Sequence, residues 1–495
     1  MGFSTADYVI VLAYLAGMAL FGLAAGGKQR SSEDYFLGGR NLPWWAVCFA
    51  IVATETSTLT FISVPGLAYA GNLNFLQVAV GYLAGRILIS FLLLPVYARG
   101  EMATSYQFLQ ERFGLPLRRL AGVTFMGTRV LADGVRLYAT AIPLALLMKG
   151  WRLFTGVPPQ EVYAVAILVL AGMTLVYTYG GGIRAVVWTD VVQMVVYLGG
   201  AAAAAWVLLD ALPPGALARI PPFKWDVVRL PAGGADLLTN PYTLPASLIG
   251  GAFLSMASHG TDQLIVQRLL SVRTLEGSRK ALVGSGIVVI LQFALFLGIG
   301  LLLSAFYTEV VPGGPGMCSP DEVFPRFIIA RMPWGISGLI VAALLAAAMS
   351  TLSGSVNSLA SSLLHDVVKP LLGGKDSGER DMRLSRLFTL FWAVVLVGVA
   401  FFFIAGTSAA LVEVALGIAS VTYGGMLGVF LLGVLFPKST QAEATAGFLA
   451  AMALMAALFA WTDLAWTWYT AAGTIACVGT ARLAAFAPKG RSSCA

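Results

Sequence analysis

Residues 341–364, VAALLAAAMSTLSGSVNSLASSLL, form an apolar run long enough to cross a bilayer, yet its second half is crowded with Ser350, Thr351, Ser353, Ser355, Asn357, Ser358, Ser361 and Ser362. At 3.6 residues per turn, Ser350, Ser353, Asn357 and Ser361 share one stripe, and Thr351, Ser355, Ser358 and Ser362 the stripe beside it. Neutral oxygens in a water-poor interior suit a hard monovalent cation, because they replace its hydration shell without the grip of several carboxylates. The same small residues also suit close helix packing, with hydroxyls bonded back to carbonyls one turn earlier. Both readings stay open on this segment alone.

Two further stretches place polar groups where lipid is expected. IVATETSTLTFISVPG, residues 51–66, carries Thr54, Glu55, Thr56, Ser57, Thr58 and Thr60 and then Pro65-Gly66. β-branched, hydroxyl and Pro/Gly residues together predict a broken helix, whose freed carbonyls can act as ion ligands; a proline kink with satisfied hydroxyls is the competing reading. The second stretch is SMASHGTDQ, residues 255–263, with Ser258, His259, Thr261, Asp262 and Gln263. A lone histidine there is more often a structural hydrogen-bonding group than a proton relay. Charged residues at predicted membrane depth are Arg86, Arg129, Asp133, Arg136, Asp190 and Glu413. Such charges are costly, so each must be paired, lie near a mouth or be functional. Arg129 and Asp133 are four apart on one helix face and can neutralise each other. Asp190 can cap a helix start or complete a cation site.

The elements that carry these residues follow from composition. The chain has 495 residues, 58% hydrophobic and only 11% charged, with a mean hydropathy of +0.83, which marks an all-α polytopic membrane protein. Apolar windows predict about 13 transmembrane helices, near 6–25, 43–70, 75–97, 120–148, 160–179, 185–210, 245–266, 281–307, 335–364, 387–405, 409–436, 442–461 and 465–486. The first is read as a retained span, since no basic flank precedes it and no small-residue cleavage site follows. Lys and Arg fall mostly in alternate loops, such as Arg118 and Arg119, Arg268 and Arg273, or Arg380 and Arg383. That bias puts the N-terminus outside and the C-terminus in the cytoplasm, and it accounts for the net charge of +7 without a nucleic-acid partner.

The same pass excludes several function classes. Cys48, Cys318, Cys477 and Cys494 are scattered and form neither a metal-ligand spacing nor a disulfide framework. No phosphate-binding G-x-x-x-x-G-K-[ST] run appears, and no soluble segment is large enough for an ATPase or kinase domain. No nucleophile-base pair or metal cluster suggests an enzyme, and no organic cofactor is expected. Two outer loops are long: 211–244, rich in proline, and 308–334, with Asp321 and Glu322. The interrupted segments lie five spans apart, the spacing that an inverted five-plus-five repeat produces.

WTDVVQ after YGGGIRAV, the run TDQLIVQR, AAAMSTLSGSVNS and LPVYARGEMATSYQFLQERFG together resemble the sodium:solute symporter family over about residues 5–440. The resemblance implies a LeuT-type 5+5 inverted repeat with an extra N-terminal helix, so that the second to eleventh spans form the core. The expected division is 1–42 for the extra helix and a cytoplasmic loop, 43–210 and 245–436 for the two repeats, 211–244 for the outer loop and 437–495 for two terminal helices and a tail. It also implies sodium as the coupling ion. The family's sodium ligands fall on the carbonyls of Ala53, Thr56 and Ala347 and the hydroxyls of Ser350 and Thr351, and a further sodium used by some members falls on Asp190.

The solute pocket matches the family less well. The glutamine that sodium/sugar carriers use falls on Leu416, and the aromatic pair that precedes TDQ in animal glucose carriers is replaced here by Ser258-His259. Glu55, Thr58, Thr60, Gln77, His259 and Asp262 are the polar set expected to contact solute. The resulting expectation is a sodium-coupled symporter of the cell (inner) membrane, importing a small polar organic solute by alternating access, with the lipid bilayer as its surroundings. The rivals are a proton-coupled carrier of the same fold using Glu55, His259 or Asp262, and a transporter-like sensor or channel.

Overall fold

The computed structural model describes residues 4–56, 58–99, 102–148, 154–311, 320–372, 378–404 and 411–486. Its longer helices, in chain order, are α1 (Thr5–Gly26), α2 (Trp44–Glu55), α3 (Thr58–Ala70), α4 (Phe75–Leu92), α5 (Tyr106–Phe113), α6 (Leu115–Met148), α7 (Pro159–Ala211) and α8 (Gly251–Gly260). They continue with α9 (Gln263–Leu270), α10 (Leu275–Glu309), α11 (Pro320–Arg331), α12 (Ile336–Ser362), α13 (Gly378–Ile404), α14 (Leu411–Leu435), α15 (Gln441–Trp461) and α16 (Trp466–Phe486). Among the described residues the chain is helical, with one isolated backbone bridge between Leu42 and Val272.

Among the described residues, seven helical stretches are long and apolar enough to cross a membrane. One of them, α7, has 53 residues, about 80 Å at 1.5 Å per residue against a hydrocarbon core of about 30 Å. It turns at Gly182 (φ 55°, ψ −154°), between the two spans predicted at 160–179 and 185–210. A Cβ at Gly182 would come within 2.4 Å of the Tyr35 carbonyl oxygen, so both the positive φ and the close approach require glycine.

The core sits around α12, where nearly every residue is buried. It packs against both arms of α7, α6, α1 and the two short helices α2 and α3. The outer sheath is apolar instead: Leu20, Phe91, Trp206, Leu291, Phe402 and Trp461 all point outward, as side chains facing lipid do.

The 211–244 loop is fastened to the helices beneath it. Lys224 Nζ donates to the Tyr69 carbonyl at 2.6 Å, near the end of α3, and Leu73 N–H donates to the Asp226 carbonyl at 3.1 Å. A cation beside a helix C-terminus is favoured by the dipole, although burial pushes the Lys224 ammonium below the usual lysine range.

Candidate functional site

The predicted break lies between α2 and α3. Helix α2 stops at Glu55, Thr56 is extended (φ −82°, ψ 104°), and the chain is helical again from Thr58. A helix that ends inside the protein leaves its last carbonyls without intrahelical partners. Ala53 and Thr56 lie in that stretch, both buried. The side chain of Thr56 is fixed from two other helices: Gln292 Nε2 donates to its Oγ1 at 2.6 Å, and Tyr197 OH donates to the same oxygen at 3.3 Å and to Gln292 Oε1 at 2.6 Å. Sequence reasoning missed Gln292 and Tyr197; the signal available was a lone amide within the apolar run VVILQFALF.

Both halves of the broken helix pack on α12. There the hydroxyl band divides. Ser353 Oγ donates to the Ser350 carbonyl at 3.0 Å, Ser358 Oγ to the Ser355 carbonyl at 3.1 Å, and Ser355 Oγ to the Thr351 carbonyl at 2.9 Å. Ser355 also donates to Asp133, whose carboxylate lies 3.0 Å from Arg136 and 3.6 Å from Arg129. These hydroxyls are engaged within the helix or with its neighbours. Thr351 Oγ1 donates to the Ala347 carbonyl at 3.1 Å, which leaves the lone pairs of its oxygen free to accept. Ser350 is wholly buried and faces Asp190, but its Oγ makes no well-formed hydrogen bond. A buried hydroxyl left without a partner is costly, and a cation placed against its oxygen would satisfy it.

Asp190 has a partner that spacing did not reveal. Its Oδ2 lies 3.0 Å from Arg268 Nη2 with both side chains fully buried, while Oδ1 has no hydrogen bond. Arg268 follows a predicted span and reads from sequence as a loop charge; in the structure it is buried within α9, and its placement in a loop is corrected. Room for the guanidinium comes from Gly354 of α12, where a Cβ would stand 2.6 Å from Nη2. The amide of Gln193, one turn beyond Asp190, is also buried without a hydrogen bond.

The second interruption lies where SMASHGTDQ predicts it. Helix α8 ends at Gly260, and Asp262 is extended and caps α9, accepting from Leu264 N–H at 2.9 Å. Its other oxygen accepts from Arg129 and, at 2.9 Å, from Tyr423 OH. Arg129 is thus paired mainly across the structure, with Asp133 the more distant acid.

Of the polar set expected to contact solute, Glu55 and His259 come together. His259 Nε2 is 3.6 Å from Glu55 Oε2, His259 Nδ1 is 2.8 Å from Ser258 Oγ, and Glu55 pairs with Arg86, which also donates to Ser285 Oγ at 2.7 Å. Arg86 and His259 are buried, and Glu55 keeps 18% of its side chain exposed, so the carboxylate is the accessible member. Gln77 is held by the 211–244 loop: its Nε2 donates to the Tyr242 carbonyl at 3.1 Å and its Oε1 accepts from Arg229 N–H at 3.4 Å. Thr60 is half-buried, one turn beyond the break. The side chains of Thr58, Glu413 and Leu416 lie outside the described residues.

Comparison with known proteins gives a consistent picture. The family model described as the sodium:solute symporter family matches residues 35–451. The sodium/sialic acid symporter SiaT of Proteus mirabilis is 27% identical over 492 residues, covering 98% of this chain and 96% of that protein. Human sodium-coupled monocarboxylate transporter 2 is 30% identical over 474 residues, covering 91% of this chain and 72% of that protein. A solved structure of a Na+-coupled sialic acid symporter, described as a substrate-bound outward-open state with a novel Na+ site, superposes with a TM-score of 0.83 at 26% identity over 98% of both chains.

Proposed function

Because the chain belongs to the sodium:solute symporter family, we propose that it is a sodium-driven symporter of the cell (inner) membrane that imports a small polar organic solute by alternating access. The observation that carries the reading is the buried Ser350 hydroxyl, left without a well-formed hydrogen bond on the helix against which both halves of the broken α2/α3 segment pack. Sodium binds there through the carbonyls of Ala53, Thr56 and Ala347 and the hydroxyls of Ser350 and Thr351. It holds the broken helix against α12 and so completes the solute site, to which Glu55, Thr58, Thr60, Gln77, His259 and Asp262 contribute. Both ligands leave to the cytoplasm after the core rocks, and coupling requires that each tighten the other.

In the same reading a second sodium uses Asp190, supported by its orphaned Oδ1 and by Ser350 facing its carboxylate. Residues 43–210 and 245–436 are inverted five-helix repeats, supported by interruptions at Thr56 and Asp262. About 13 crossings leave the N-terminus outside and the C-terminus in the cytoplasm, supported by the loop charges. Proteoliposomes loaded with and without an inward sodium gradient test the central claim across a panel of sugars, amino acids, carboxylates and vitamins. Accumulation of one solute only with the gradient is expected, and equal accumulation in both would sink the reading. A second reading, proton coupling, is favoured by the 3.6 Å approach of His259 to the partly exposed Glu55.

A further inference from the structure

The hydroxyl helix α12 starts without any cap of its own. Its N-cap residue is Gly335 (φ 83°) and its third residue is Gly338, so neither position has a side chain to close the first turn. The N–H groups of Ile336 and Ser337 turn back to the Pro333 carbonyl at 3.2 and 3.3 Å. The remaining two are taken by a residue of another helix: Asp7 Oδ1 accepts from Gly335 N–H at 2.9 Å and from Gly338 N–H at 2.7 Å. These are the two bonds that a capping box makes within one helix, supplied here from α1.

The same carboxylate also closes the start of α1. Asp7 Oδ2 accepts from Ser4 N–H at 2.8 Å and Ser4 Oγ at 2.7 Å, and Asp7 is fully buried. One side chain therefore holds two helix starts in a fixed relation, and its negative charge lies at the positive end of both dipoles. The backbones are tight enough to need glycine: a Cβ on Gly338 would come within 2.7 Å of Asp7 Cα. Helix α1 also packs along α7, which carries Asp190.

We propose that Asp7 is a positioning residue for the ion site: by capping α12 from α1 it fixes the depth and rotation at which Ala347, Ser350 and Thr351 are presented. This rests on the sodium reading above. Ser350 lies twelve residues from Gly338, about 18 Å along the helix, so a shift of the first turn is carried to the ligands by a stiff, buried rod.

Sodium itself is the probe, so no solute need be known. Radiosodium binding to the purified full chain, with potassium as the control ion, gives a half-saturation concentration, and melting with and without sodium reports folding. Asp7→Ala is expected to raise half-saturation about threefold to tenfold. Asp7→Asn retains an oxygen acceptor for both N–H groups and should recover most of this. Gly338→Ala, which forces the cap away while leaving the carboxylate, should act in the same direction as Asp7→Ala. Ser4→Ala touches only the α1 start and should bind sodium as the wild type does. Wild-type half-saturation in both Asp7→Ala and Gly338→Ala, with only the melting temperature lowered, overturns the inference, as does Ser4→Ala matching Asp7→Ala. A wild-type chain that binds sodium no better than potassium removes the sodium reading itself, and the inference with it.

Discussion

Asp190 and Arg268, 78 positions apart in sequence, meet at 3.0 Å with neither side chain exposed. Breaking a buried pair strands a charge, so Arg268→Ala is expected to cost about 3–5 kcal/mol. Thermal melting of the purified protein should register this as a large loss. Adding Asp190→Ala should return part of it, since the two effects are coupled and not additive.

Ser350→Ala separates ion binding from folding. The wild-type hydroxyl has no well-formed hydrogen bond to lose, so the sodium-free melting temperature should change little. Together with Thr351→Ala it should raise the sodium half-saturation of uptake at least tenfold, about 1.4 kcal/mol or more of lost binding. Sodium-driven uptake that survives the double substitution unchanged puts the ion elsewhere.

The coupling ion is decided at Glu55. With sodium as driver, vesicles in sodium-free buffer under a pH gradient should accumulate no solute. Accumulation there, lost in Glu55→Gln, would move the coupling to protons through the Glu55–His259 contact.

Gln77→Ala should loosen the 211–244 loop without touching the ion. It removes the bonds to Tyr242 and Arg229, each worth about 1 kcal/mol, and faster amide exchange across residues 226–244 is the expected readout by mass spectrometry. Unchanged exchange would mean that Lys224 and Asp226 suffice to hold the loop.

The helix breaks and the hydroxyl band were legible because each puts residues of the wrong type into an apolar run, and that mismatch is local. Thr56 and Asp262 fall at the interruptions for this reason. Partners are not local. Nothing near Asp190 in the chain points to Arg268, and Arg268 itself follows an apolar run in the manner of an ordinary loop charge. Gln77 is named from sequence as a solute contact; that its amide also bonds a carbonyl and an N–H of the 211–244 loop is a fact of tertiary packing. Asp7, which falls at the start of the first predicted span, closes two helices because Gly335 and Gly338 are bare, which matters only once α1 and α12 are side by side.

The turn at Gly182 sets a phase as well as a direction. Asp190 follows it by eight residues of uninterrupted helix, and each residue advances that helix by about 100°. One residue inserted between them would swing the carboxylate away from Arg268 and Ser350 into apolar packing. A deletion would swing it the opposite way. This stretch therefore has no tolerance for length change.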